Sequence, residues 1–223
     1  MSFFERLERR TGEERLALYL VPQLVDGLAG KITRETYLAY LAEAYHHVRH
    51  TVPLLKLARS RLDAAHSRFA AALDEYVAEE TGHEEWILRD IRNGGGDAES
   101  VRNGSPRAAT ETMVAYAYDY ISRINPMGMF GMVFVLEGTS VALASHGASA
   151  VQQSLGLGPE CFSYLTSHGA LDQDHMRFFA GLMGEVTAPE DQAAIVRMAK
   201  RMFGLFADVF RSIPHAREAA HAV

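Results

Sequence analysis

The chain has 223 residues, 48% of them hydrophobic and 22% charged, and a formal net charge of −6. That balance suits a globular protein and excludes disordered and fibrous classes. The acidic balance and the lack of any stretch that clusters Lys and Arg with aromatics exclude a nucleic-acid footprint.

The single cysteine, Cys161, rules out an internal disulfide framework and suits a reducing cytoplasm. The first sixteen residues are studded with Glu and Arg and do not read as an export signal, so a cytoplasmic location is expected. The most apolar run, residues 127–136, is far shorter than the roughly 20 residues a membrane-spanning helix needs and reads as a buried helix.

Apolar residues recur at helical spacing and no segment alternates with period two, so an all-α bundle of about seven helices in one domain is expected. A first helix is predicted over 4–28, bent near Pro22 and ended by Gly27 and Gly30. The second opens at Thr33, a suitable N-cap, and runs to about 62 with Pro53 as a kink. The third covers 67–91 and is stopped by Asn93-Gly94-Gly95-Gly96. Ser105-Pro106 opens a fourth; Asn125-Pro126 closes it and starts a fifth that reaches about Leu155. Gly156-Leu157-Gly158-Pro159 precedes a sixth helix over 159–184, weakened at Gly169. A seventh carries the stripe Ile195, Met198, Met202, Phe206, Val209, Phe210. The core then spans about 4–212, and the tail 214–223 is expected to fray.

Three groups of residues on this frame carry chemistry. Glu80 and His83, three apart in Glu79-Glu80-Thr81-Gly82-His83, leave one face of a helix and can offer a carboxylate and an imidazole to one ion. His168, Asp172 and His175, at offsets of four and seven, lie within about 40° of one line along the sixth helix. Two histidines and an aspartate on one stripe make a poor core and a good ligand set for iron, manganese or zinc. Glu137 ends a run of apolar residues on a helix buried nearly all round, and a buried carboxylate requires an arginine such as Arg123 or Arg177, or a metal, as partner. Three carboxylates and three neutral imidazoles with two divalent ions form a nearly self-neutralising centre.

A competing arrangement uses Glu43 with the Glu80/His83 and Asp172/His175 pairs and Glu137, as in a ferritin-like four-helix di-iron bundle, and leaves His168 idle. The segment Tyr45-His46-His47-Val48-Arg49-His50 places His47 and Arg49 as anchors for a substrate carboxylate. Met127, Met129 and Phe130, upstream of Glu137, are candidates for the wall of an apolar substrate chamber.

Taken together, Glu-Glu-Thr-Gly-His-Glu-Glu-Trp at 79–86, the buried Glu137 and His-Gly-Ala-Leu-Asp-Gln-Asp-His at 168–175 resemble the heme-oxygenase-like di-iron oxidases and oxygenases. That branch belongs to the larger group that holds the TenA-type thiaminases and the pyrroloquinoline-quinone-forming oxidase, and the resemblance spans about residues 10 to 212. It implies a heme-oxygenase-like fold and two Fe(II) ions, the second the more labile, on Glu80, His83, Glu137, His168, Asp172 and His175. It also implies O2 as co-substrate and a small amino-acid-like or fatty-acid-like substrate that is N-oxygenated, cleaved or decarboxylated. A homodimer is compatible with it. The alternatives are a metal-free TenA-like enzyme and a metal-binding helical protein without turnover. A TenA-type nucleophile would have to be Cys161, which follows the Gly158-Pro159 break with no base beside it.

Overall fold

The computed structural model describes residues 1–215; over 168–174 it describes the helical backbone alone. Among the described residues the chain forms twelve α-helices and no strand, so the all-α expectation holds. The expected seven become twelve because three long helices are cut at caps and turns, which gives eleven, and a short additional helix follows the third.

The first becomes α1 (Phe3–Arg10), α2 (Gly12–Tyr19) and α3 (Pro22–Leu28). Ser2 and Glu5 open α1 with a reciprocal capping box. Pro22 begins α3 rather than bending a longer helix, because a first-turn residue has no intrahelical acceptor for an N–H to lose. The second is cut at Arg49-His50 into α4 (Arg34–Val48), capped by Thr33, and α5 (Thr51–Arg61). Pro53 is therefore no kink; it lies in the first turn of α5, where a missing N–H costs nothing. The third is cut at Thr81-Gly82 into α6 (Ser67–Glu80) and α7 (His83–Asn93). Gly82 has φ +93°, a conformation that side chains disfavour, and it turns the chain between the two candidate ligands on either side.

A short α8 (Ala98–Asn103), capped by Asp97, was not expected from the sequence. The boundaries of α9 (Ala108–Arg123), α10 (Gly128–Leu155), α11 (Ser163–Gly184) and α12 (Pro189–Ser212) follow the sequence signals to within a few residues. Gly169 does not interrupt the backbone of α11. Residues 216–223, most of the tail expected to fray, lie outside the described residues.

The centre of the molecule is α10, packed chiefly on α11 and α12. Its 28 residues include an 18-residue window with mean hydropathy 1.5, enough by length and composition to cross a membrane, of which 56% is buried inside the fold. The ten apolar residues noted in the sequence are only the first part of it. At Gly131 a Cβ would lie 2.4 Å from the Ile195 carbonyl oxygen and 2.8 Å from Met198 Cβ, so a glycine there lets α10 and α12 touch. Phe134 then fits among Phe4, Phe179 and Phe203 in edge and stacked contacts.

Helices α9, α11 and α12 lack a side-chain cap from their own N-cap residues. For two of them buried acids from other helices supply one. Glu43 on α4 accepts from the Arg107 N–H (3.1 Å) and the Thr110 hydroxyl (2.5 Å) at the start of α9. Asp90 on α7, fully buried, accepts from the Ser163 hydroxyl (2.5 Å) and the Tyr164 N–H (2.8 Å) at the start of α11. Both satisfy first-turn donors that have no intrahelical acceptor. Asp191, in the first turn of α12, holds His66 at 3.0 Å and accepts from Asn125 at 3.0 Å. These bonds remove Glu43 from the ligand set of the ferritin-like alternative: its carboxylate is already used by α9.

Candidate metal centre

Among the described residues, three of the six candidate ligands meet. One donor atom each from Glu80, Glu137 and His175 lies within 4.8 Å of the other two. They come from the end of α6, the middle of α10 and the second half of α11. Crossing of three helices, and not spacing along any one, brings them together. Glu80 is buried and the other two nearly so; side-chain exposure is 8%, 12% and 13%. Two carboxylates and an imidazole, with no thiolate among them, fit iron or another first-row divalent ion. Two acids this close and this dry call for a cation.

His175 is held from both sides. Its Nδ1 faces Glu137 Oε1 at 3.7 Å, while its Nε2 lies 2.9 Å from Glu79 Oε2. A carboxylate on the far nitrogen fixes the ring orientation and raises the basicity of the near one, the arrangement usual for a metal-binding histidine. The Tyr76 ring packs edge-on against the same imidazole, with centroids 5.7 Å apart. Neither Glu79 nor Tyr76 was singled out from the sequence. Tyr76, one turn before Glu80 on α6, was reachable by spacing; Glu79 was masked as half of an acidic doublet.

His83 lies beside Glu80 rather than within the three-residue cluster. Its Nδ1 is 3.1 Å from Glu80 Oε2 and its ring stacks on Trp86 at 4.0 Å. The helical same-face argument for this pair does not apply, since α6 ends at Glu80 and α7 begins at His83; the turn at Gly82 reunites them. The side chains of His168 and Asp172 lie outside the described residues, on the backbone of α11 that carries His175. Of the arginines weighed as partners for Glu137, Arg123 pairs with Asp119 at 2.6 Å on the surface and Arg177 is exposed.

A cavity of about 70 Å³ adjoins the cluster, lined by Glu80, Glu137, Tyr76, His47 and apolar residues of α10. His47 is buried and packs edge-on against Phe206. Arg49 is exposed, over the face of Tyr45, and lies on no wall of this cavity. Met129, Met132, Val133 and Leu136 form the apolar wall; Met127 and Phe130 instead point into the main core, Phe130 against Phe69. Cys161 is buried, burial pushes its thiol up, and it borders neither this cavity nor its larger neighbour.

The family described as iron-containing redox enzyme matches residues 38–207. No curated protein matches. Among solved structures, a heme-oxygenase-like domain of unknown function from Shewanella denitrificans is 24% identical, with TM-score 0.86, over 98% of this chain and 94% of that one. Heme oxygenase-1 from the cyanobacterium Synechocystis is 11% identical with TM-score 0.77, covering 99% and 96% of the two chains. A TenA homologue from Pseudomonas syringae is 9% identical with TM-score 0.76, covering 93% and 90%. The heme-oxygenase-like fold is thus shared, at identities that carry the fold alone.

Proposed function

The chain belongs to the iron-containing redox enzyme family, and from that premise we propose that it is a non-haem, di-iron, O2-activating oxidase or oxygenase. We further propose that it works in the cytoplasm on a small carboxylate-bearing substrate. The observation that carries this reading is the convergence of Glu80, Glu137 and His175 from three helices. Iron bound there would supply the electrons and open coordination positions for reducing O2 while a substrate is oxidised.

The chain's own residues set the conditions for that chemistry. Glu137 and Glu80 would provide the negative charge that neutralises the ions, and His175 would provide a neutral donor whose proton is kept on Nε2 by Glu79. His83, bonded to Glu80, orients that carboxylate, and would hold a second ion together with Asp172 and His168. Tyr76, Leu136 and the methionines of α10 make the walls that exclude water.

Anaerobic equilibrium dialysis with Fe(II), followed by oxygen uptake on mixing with O2, tests the reading. Uptake of about two equivalents, loss of at least one in Glu137→Ala and His175→Ala, and oxygen consumption by the loaded wild type are expected. Failure to take up iron, or uptake indifferent to both substitutions, overturns it. Iron uptake without oxygen consumption would favour a metal-binding protein without turnover.

A further inference from the structure

Arg10 at the end of α1, Tyr116 on α9 and Arg197, Lys200 and Arg201 on α12 face one surface groove of about 610 Å³. It lies apart from the metal centre. None of its lining residues lines the cavity at the carboxylate cluster or the one of about 140 Å³ that runs past Ser140.

The charges of the groove do not cancel. Among the described residues the one acid on its wall is Asp208, which Arg211 holds at 2.7 Å, while Lys200 is held by Glu14 at 2.6 Å. Arg10, Arg197 and Arg201 are exposed and have no ion pair among the described residues. Elsewhere on the surface arginines come with carboxylates: Arg59 with Asp74, Arg102 with Glu85, Arg123 with Asp119. Three uncompensated guanidinium groups thus share one groove in a chain whose net charge is −6.

Helix energetics do not account for that grouping. Arg197 and Arg201 stand four apart, so they leave α12 on one face, where like charges at that spacing destabilise a helix. They lie in the middle of α12 (Pro189–Ser212), and the helix dipole rewards cations only in the last turn. Arg201 carries its guanidinium over the Tyr116 ring, 6.0 Å from the centroid, which steadies the planar group and leaves the N–H groups at its edge to donate. Beside these cations the wall is apolar and open. Val196 and Leu205 line it, and a Cβ at Gly204 would meet nothing within 4 Å.

We propose that this groove binds a soluble organic phosphate carrying two or more negative charges, at a site separate from the metal centre. Guanidinium forks bond phosphate oxygens in pairs, and several of them around one groove suit a polyphosphate better than a single carboxylate. Tyr116, Val196 and Leu205 face the organic part of the ligand. The net charge of the chain repels anions at a distance, but that field is screened beyond about 10 Å at ordinary salt, so recognition depends on these short-range contacts.

Isothermal titration calorimetry of the metal-free full chain with ATP, inorganic pyrophosphate and citrate tests the proposal. One site is expected, with ATP bound about ten-fold more tightly than pyrophosphate, and pyrophosphate more tightly than citrate, which carries charge without phosphate geometry. Arg197→Gln and Arg201→Gln should each weaken ATP binding about ten-fold. Both should leave the melting temperature unchanged or slightly raised, because they remove like-charge repulsion from an exposed helix face. Arg123→Gln, at the surface pair with Asp119, should leave ATP binding as it is. No saturable ATP binding, binding indifferent to both groove substitutions, or citrate bound as tightly as pyrophosphate overturns the proposal. Polyglutamate bound more tightly than ATP also overturns it, in favour of an acidic protein partner. Retention on phosphatidic-acid vesicles without ATP binding overturns it in favour of a lipid headgroup.

Discussion

Buried carboxylates serve this molecule in two ways, and their partners separate the two. Glu43 and Asp90 accept backbone N–H groups and hydroxyls at the starts of α9 and α11. Such a carboxylate is complete within the protein, and the helix it caps depends on it. Glu80 and Glu137 are instead brought within 4.8 Å of each other and of His175, an arrangement in which a bound cation would relieve their mutual repulsion. Burial alone does not mark a functional acid. What marks it is a set of neighbours that adds negative charge where a cap would offer donors.

The sharpest way to break this comparison is to remove one member of each class. Asp90→Ala leaves the Tyr164 N–H and the Ser163 hydroxyl without acceptors in a dry interior and should cost about 3 kcal/mol of stability, measured by denaturant unfolding, with iron binding per folded molecule unchanged. Glu137→Gln should behave oppositely. The metal-free protein should keep or slightly raise its melting temperature, while Fe(II) affinity falls roughly 100-fold or more, about 2.7 kcal/mol. If Glu137→Gln unfolds the apo protein as Asp90→Ala does, the distinction fails.

Glu79→Gln sharpens the comparison by testing an acid that touches no metal. Loss of the charge on the far nitrogen of His175 should weaken Fe(II) binding by roughly 10-fold to 100-fold with stability unchanged, because Glu79 is half-exposed. Gly82→Ala probes the turn that reunites Glu80 with His83. The φ of +93° should make alanine cost about 1–2 kcal/mol. The same variant should shift the ring-proton resonances of His83, which any change remote from the turn would leave in place.

The smallest effect belongs to His66, bonded to Asp191 and Asp63. The hydrogen bond to Asp191, then that to Asp63, raises the folded-state value of this imidazole above its ordinary 6.5. The folded state therefore binds the proton more tightly, and the stabilisation is full below pH 6.5 and lost as pH rises through the raised value. Melting temperature should fall by roughly 1–3 °C across that window, and His66→Gln should remove this component. His46 and His50 act in the opposite sense at lower pH: burial lowers both, so the stability they contribute is present above 6.5 and lost as pH falls below it. A melting temperature flat from pH 6.5 to 8 in the wild type would remove His66 from the account.

Much of the fold is local and therefore readable. The apolar period, the capping residues and the glycine runs specify helices, and Asn93-Gly94-Gly95-Gly96 stops α7 where the sequence places it. The breaks at Arg49-His50 and Thr81-Gly82 were invisible because nothing in the local pattern forbids a helix there; packing of α4 on α7 and of α5 on α6 requires the turns. Glu137 could be singled out because a carboxylate at the end of an apolar run is anomalous in any fold. Glu43 and Glu80 could not be told apart, since each begins a Glu-x-x-His pattern and only the neighbouring helix shows which one is a cap.

By itself, then, the sequence determined that the chain is helical and which residues carry unusual chemistry for their surroundings, because propensity, periodicity and the cost of burying charge act within a few residues. Tertiary structure alone decided which of those residues meet. Glu80, Glu137 and His175 lie on three different helices, α6, α10 and α11, and their meeting depends on how those helices are placed by side-chain packing over the whole core. The apolar cavity past Ser140 is lined from α3, α4, α10, α11 and α12, and no single stretch of sequence contains it.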